Sequence, residues 1–274
     1  SGLLRDLVRY VQSEKRFKCD AIRFGNVLED SATLRLLNAD SRLSKTIFPT
    51  SYCDSLPVMS QDDLLDSVSK NMRGGLRSAR NRLLKHDSVE FLETRDPQLL
   101  PEYLTQFLDV EASGWKGASG SGTAIKLDSA LTKFYSDLAT GFGRDRKCEI
   151  SLLKINGQVA AGQFGLIVGQ TIFSLKIGYA EAFSRCAPGN NLMVHSLDRL
   201  NAEGELKNFN LVSDTAWHSS WRPTQQRVYK CCAYSNRLAA RLLLAYGCLR
   251  QTAKRLMGDP KGRRPLRLPI KTTG

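Results

Sequence analysis

No stretch of these 274 residues is long and apolar enough to cross a bilayer. The most apolar region, Leu152 to Gly178, is broken by Lys154, Asn156, Gln158, Gln163 and Gln170. The seven cysteines form no Cys-x-x-Cys pair and show no Cys/His ligand spacing, and their number is odd, which argues against a disulfide framework and against a metal site. No signal peptide is legible, so a reducing cytoplasm is the expected compartment. An initiating Met is also lacking: the chain opens Ser1-Gly2, which reads as a cleavage scar with upstream residues missing. Acidic residues are outnumbered, 27 against 40 Lys and Arg, for a formal net charge of +13. Such an excess says more about partners than about fold. It suits nucleic acid, anionic lipid, an acidic carrier protein or a phosphate-rich cofactor. Aromatics are not interleaved with the basic residues, as a single-strand binder would require, which weakens the reading of a non-catalytic nucleic-acid module.

What is present centres on Thr171 to Leu200. Thr171–Tyr179 carries the β-branched and aromatic residues of a buried strand. Arg185-Cys186-Ala187-Pro188-Gly189-Asn190-Asn191 is a turn, and Leu192, Met193, Leu197 and Leu200 then recur at helical spacing. A strand, a glycine-containing turn and a helix leave unpaired N–H groups and the positive end of a helix dipole at the turn, which suits a phosphate or pyrophosphate. An ordinary strand-to-helix turn capped by Asn is the alternative. Pro188 is tolerated near a helix start, and Gly189 lets the backbone approach a ligand.

Before this stretch, the pattern predicts helices over Leu3–Val11 and Leu34–Leu37 and a strand over Asp20–Val27. Ser44–Tyr52 reads as a strand at an edge or split at Pro49. Ser60 caps a helix that continues, with a break at Gly74-Gly75, through Lys70, Arg73, Arg77, Arg80 and Lys85. These cations fall on roughly one side, either as a solvated face or as a docking stripe for phosphates or an acidic partner. Ser88–Thr94 is a short strand. A second unit is expected from Asp96, giving segments 1–95, 96–258 and a basic, flexible tail at 259–274. Helices over Leu99–Val110 and Ser129–Phe142, the second presenting Leu131, Phe134, Tyr135 and Leu138, feed a three-strand meander whose first turn is Asn156-Gly157. Phe209–Val212 and Arg227–Tyr234 read as strands, and Asn236–Met257 as a helix with Leu238, Leu242, Leu243 and Leu249 inward.

This element order is that of a GCN5-related N-acyltransferase (GNAT) unit, an α/β fold with a mixed sheet. Within that superfamily, Glu111-x-Ser113-x-Trp115-Lys116-Gly117, Gly122-Thr123-Ala124 and Phe134-Tyr135 resemble the signature of CelD-type acetyltransferases, associated with cellulose and exopolysaccharide biosynthesis. Ala187-Pro188-Gly189 with Leu192 resembles the same group's donor loop, and Ser69 through Leu83 its connecting helix. The group is similar in architecture to the Fem peptidyltransferases, with two GNAT-like halves, the first truncated here. The run Asp214 to Arg222 departs from the group's Gly-rich turn, so the resemblance speaks to the donor more than to the acceptor.

The resemblance implies acyl transfer, acetyl above all, from acetyl-CoA or another acyl-CoA, or from an acyl carrier protein, to an amine or hydroxyl on a small acceptor such as a sugar or cell-envelope precursor. Direct attack needs no metal and no cysteine nucleophile, so Cys186 is read as a packing residue. Donor-binding residues would be Ile177, Gly178 and Tyr179 at the strand end, with Arg185, Ala187, Pro188, Gly189, Asn190, Asn191 and Leu192 in the turn. Glu111, Asp214 and His218 are the candidate bases, each with a structural alternative. His195, on an apolar helix face, is read as structural. Trp115, Lys116, Trp217, Trp221 and Tyr229 are candidate acceptor contacts, the tryptophans equally suited to a core. The basic stripe could receive a carrier protein or an anionic surface at the inner membrane face. A Fem-like aminoacyl-tRNA-dependent transferase would share the fold and explain the charge.

Overall fold

Period-two and period-3.6 hydrophobic patterns alternate along the chain, and a computed structural model turns them into strands and helices among the residues it describes: 3–14, 19–41, 43–114, 117, 120–235 and 237–256. In chain order the first elements are α1 (Leu3–Ser13), β1 (Ala21–Leu28), α2 (Ala32–Ala39), β2 (Lys45–Pro57), α3 (Gln61–Ser67) and α4 (Lys70–Leu83). Next come β3 (Val89–Thr94), α5 (Leu100–Ser113), α6 (Ser129–Gly143), β4 (Cys148–Ile155), β5 (Gln158–Val168) and β6 (Thr171–Tyr179). The last are α7 (Pro188–Glu203), β7 (Asn208–Asn210), β8 (Thr224–Tyr234) and α8 (Leu238–Leu256). Trp115, Lys116 and the expected tail at 259–274 lie outside the described residues. Among the described residues no helix is long and apolar enough to cross a membrane, and no group of three or more His, Cys, Asp or Glu is placed to hold a metal ion.

Two compact units form, one from Asp54–Gln225 and the other from Ser1–Cys53 together with Gln226–Gly274. In the larger unit the strands run from the end of β2 through β7, β6, β5 and β4 to β3. Asn156 and Gly157, at φ 49° and 76°, make the left-handed two-residue turn that the Asn-Gly pair favours, and β4, β5 and β6 form the expected antiparallel meander. Successive strand side chains face opposite sides. Ile150 and Leu152 therefore meet Leu104 and Phe107 of α5 and Tyr135 of α6, whereas Leu153 and Ile155 meet Leu83 of α4 and Leu192 of α7. Helices cover both faces, which is why β4 and β5 are buried almost throughout.

Several local expectations are corrected. The break in the basic helix falls at Val68-Ser69, because the Ser69 hydroxyl accepts from Met72 N and starts a new helix, while Gly74 and Gly75 lie inside α4. On α6, Leu131 and Phe134 are exposed; Tyr135, Ala139 and Gly143 form the buried face. β7 is three residues long and stops at Asn210.

The α7 face of the sheet also buries charge. Glu149 is held by Arg95 Nε and Arg199 Nη2, each at 2.6 Å. Beside it Glu93 lies 3.4 Å from Arg199 and 3.7 Å from His195, whose ring stacks on Phe91 at 4.2 Å. The His195 ring beside it, opposed by burial and helped by the charges of Arg199 and Arg95, holds the Glu93 carboxyl below its ordinary value of 4.5. A carboxylate whose folded value is depressed stabilises the fold above its unfolded value, and that contribution is lost as pH falls through the folded one. Glu93→Gln should therefore flatten the acid limb of stability below about pH 5 in urea titrations. Parallel limbs for the variant and the parent would refute this.

In the smaller unit the order is β1, β8, β2. β1 pairs antiparallel with β8 from Ala21↔Tyr234 to Leu28↔Val228, with a bulge after Phe24 where Asn26 takes φ 51°. Asn tolerates that conformation. Val27, Leu34, Leu37 and Cys231 form the core. β2 is not split at Pro49. β7 pairs only with Ser55–Pro57, so no β7 ladder demands the N–H that proline lacks. Helix α8 is inverted relative to expectation: Leu238, Leu242 and Leu243 are exposed, whereas Ala240 is fully buried. The side chain of Leu249 lies outside the description.

Candidate functional site

The parallel ladder between β6 and β7 is short. It pairs Thr171 with Asn208, Ile172 with Phe209 and Phe173 with Asn210, and there it ends. β6 continues to Tyr179 with β5 on one side, Ala161 pairing Tyr179, and no β7 pairing on the other. Beyond Phe173, β6 therefore has no ladder on its β7 side.

At the end of that strand a 3-10 turn, Glu181–Cys186, leads into α7. Ala187 occupies the N-cap in a left-handed conformation, φ 42° and ψ 58°, with no side-chain cap, and Pro188 follows at the first turn. The expected alternative, a helix capped by Asn, is not what forms. Asn191 instead turns back and donates from Nδ2 to the Cys186 carbonyl at 2.7 Å, which fixes the loop and leaves the α7 N-terminus for another acceptor. A Cβ added to Gly189 would meet only Ile177 Cγ2, at 4.0 Å, an ordinary contact, so the helix start faces the end of β6 without crowding. Leu192 and Pro188 are buried beneath the turn, Asn190 is half-buried and Arg185 is exposed.

Two residues that sequence reasoning passed over support this turn. Arg82, near the end of α4, donates from Nε to the Arg185 carbonyl at 2.5 Å. His86 places Nε2 3.6 Å from Cys186 Sγ, and the buried thiol packs with Leu83 and Leu192. Arg82 stood in plain view in the basic run, but it falls off the stripe of Lys70, Arg77 and Lys85. Those three are exposed, while Arg73 is tied to Asp66 at 3.2 Å and Arg80 to Gln61 at 2.6 Å.

Glu111 is not past α5 but inside its last turn, buried, with Oε2 accepting from Ile125 N at 2.9 Å. Its backbone lies on β6: a Cβ on Gly178 would stand 2.6 Å from Glu111 Cα, a contact only glycine permits. Burial, then the Glu111 charge, pushes the Tyr135 phenol above its ordinary value. Glu111 therefore joins the helix, β6 and the 3-10 turn at Ile125–Leu127.

The remaining candidates gather after β7. His218 is 2% exposed, and its Nδ1 lies 2.9 Å from Asp54 Oδ2 and 3.2 Å from the Ser213 carbonyl. Both partners are acceptors, so Nδ1 carries a proton. Asp54, equally buried, takes a second hydrogen bond from Gln225 Nε2 at 2.8 Å, and its backbone is clamped to Ser213 and Leu211. An open pocket of about 420 Å³ lies here, lined by Asp54, Asp214, Thr215, Ser219, Arg222 and Gln225. Val212 and Arg222 bracket it at φ 63° and 51°. A β-branched residue held left-handed costs on the order of 1–3 kcal/mol, and such strain tends to gather at functional sites. Trp217 packs edge-on against His218 at 4.2 Å and stays exposed, so it can still meet a ligand. Trp221 cannot: it is 1% exposed, in the core beneath α7. Tyr229 belongs to the other unit, where its hydroxyl donates to Glu29 at 3.5 Å.

No curated protein sequence matches the chain. Among solved structures, FemX superimposes with a TM-score of 0.60 at 12% identity, covering 88% of this chain and 79% of that one. L-PGS from Bacillus licheniformis gives 0.54 at 14% identity, covering 87% and 76%. At such identities the likeness is one of fold. A profile of the acetyltransferase (GNAT) domain matches residues 70–218, more than half of the chain and the stretch that contains β6, the turn into α7 and His218. By that match the chain belongs to the GNAT acetyltransferase family.

Proposed function

We propose that the protein transfers an acyl group from an acyl-CoA to an amine or hydroxyl acceptor by direct attack. The observation that carries this reading is the coincidence, along β6, of the early end of its ladder with β7 and the uncapped N-terminus of α7 that follows. The donor's pyrophosphate would sit on the α7 N–H groups, and its pantetheine arm would run along β6, where a backbone N–H can polarise the thioester carbonyl. Acetyl is the acyl group that the family favours. The acidic pocket around Asp54 and Asp214 suits the ammonium of an acceptor; His218 does not itself line it but is hydrogen-bonded to the lining residue Asp54, and the pair would take the acceptor's proton. Within the family we place the chain with the CelD-type branch, on the Glu111–Gly117 and Gly122–Ala124 patterns, which points to a sugar or cell-envelope acceptor.

A second reading has a specific support. Arg82 joins α4 to the turn before α7, so the exposed Lys70 and Arg77 belong to the same helix as that contact, and Lys85 follows just past its end. Free CoA has little use for such a row. An acyl carrier protein, or an aminoacyl-tRNA as donor, would use it by charge steering. Calorimetry with CoA and acetyl-CoA, followed by release of free CoA in the presence of sugar amines, tests the first reading. Repeating the transfer with a carrier-linked donor and with aminoacyl-tRNA over a salt series tests the second. Absence of CoA binding together with steeply salt-dependent use of either large donor would replace the first reading by the second.

A further inference from the structure

Helix α8 packs by its small residues and turns its large ones outward. Ala240 is fully buried, and a Cβ on Gly247 would stand 3.6 Å from the Tyr234 hydroxyl, so this side lies close to β8. On the other side Leu238, Leu242, Leu243 and Tyr246 are 74, 63, 50 and 62% exposed. A helix normally buries leucine and shows alanine to water, and exposed apolar clusters of this kind mark binding surfaces. The sequence continues the same spacing with Leu249, Ala253 and Leu256.

Charge identifies the occupant. From Arg237 to Gly258 the sequence holds Arg237, Arg241, Arg250, Lys254 and Arg255 and no acidic residue. In the sequence Arg237 and Arg241 fall off the every-fourth-residue spacing of Leu238, Leu242 and Tyr246. A second copy of the same face would bring like charges together, which disfavours self-association. A surface that is apolar at depth and anionic at its rim satisfies both features, because leucines enter the acyl boundary while long cationic side chains reach back to head groups. We infer that α8 is an interfacial helix that docks the protein, without spanning, on an anionic lipid surface.

The test is vesicle flotation of the full chain. Large vesicles of phosphatidylcholine alone are compared with vesicles that also contain phosphatidylglycerol. The parent should float with the anionic vesicles and not with the neutral ones. Leu242→Ser with Tyr246→Ser keeps every cation and alters only exposed positions, so its far-UV circular dichroism should match the parent while its partitioning falls by at least about tenfold. Arg77→Glu on α4 should leave flotation within about twofold, because lipid contact is assigned to the other element. Three results would overturn the inference: no flotation of the parent, flotation unchanged in the double variant, or a concentration-dependent dimer that the double variant abolishes. An acidic protein that binds this helix more tightly than the vesicles do, and competes them away, would also reassign the face.

Discussion

Gly189→Val should weaken acyl-CoA binding by at least about tenfold, and Gly189→Ala far less. The grading follows from geometry. One added Cβ finds Ile177 Cγ2 at 4.0 Å, an ordinary contact, so alanine fits. The two further methyls of valine must enter the space between the α7 N-terminus and β6, which is the space the donor's phosphates need. Gly189 does not have a left-handed backbone, so neither variant strains the chain, and replacing glycine within a helix offsets part of any packing loss. Calorimetry with CoA reads the affinity, and a thermal melt within a few degrees of the parent shows that the fold persists. Equal affinity in a folded Gly189→Val protein would remove the donor from this turn.

Asp54→Asn is expected to reduce turnover by about a hundredfold at pH 7 with near-native folding. The carboxylate accepts from two donors at once, His218 Nδ1 and Gln225 Nε2, and an amide has only one oxygen for them. When its NH2 faces the ring, Nδ1 must accept, the proton moves to Nε2, and the lone pair that would take the acceptor's proton is gone. His218→Gln removes that lone pair outright. For both variants the loss should shrink toward pH 9, where an amine acceptor sheds its proton without help. The stability cost should be about 1–3 kcal/mol, the usual penalty for a buried polar group deprived of a partner. A variant-to-parent ratio that stays flat across that pH range would make the pair a structural tie. In that case the pocket at Asp214 would lose its place in the chemistry.

The parts of the fold that were legible in sequence are those whose signals are local. Asn156-Gly157 specifies a turn by its own backbone preferences, and the strand–turn–helix from Thr171 to Leu200 combines two periodicities with a Pro-Gly between them. The pairing of Asp54 with His218 could not be read, because the two are far apart in the chain and meet only through the β2–β7 ladder. Asp54 did leave a trace: an acid inside a strand-like run of Tyr52-Cys53-Asp54-Ser55-Leu56 is costly unless something receives it. The leucines of α8 misled for a different reason. Hydrophobic spacing shows that a helix has two faces, yet which face a sheet takes depends on how closely the backbones approach, and at Ala240 and Gly247 small residues let them come near. Glu111 was placed outside its helix because the glycines after it suggested an earlier end; α5 runs on to Ser113.

The discontinuous unit has a bearing on how the protein is made. β1 finds its partner only when β8 arrives, since Ala21 pairs with Tyr234, whereas every strand of the β3–β4–β5–β6 run pairs with its immediate neighbour in the chain. At ~5–20 residues per second a ribosome needs roughly ten to forty seconds to bridge that gap. Through that interval β1 lacks its ladder partner, and Val27, Leu34 and Leu37 lack Cys231 and Tyr229 of their core, while Asp54–Gln225 can already close. Newly made protein is thus most exposed to chaperones and proteases over the stretch from β1 to β2, and a nick or misfold there would spare Asp54–Gln225.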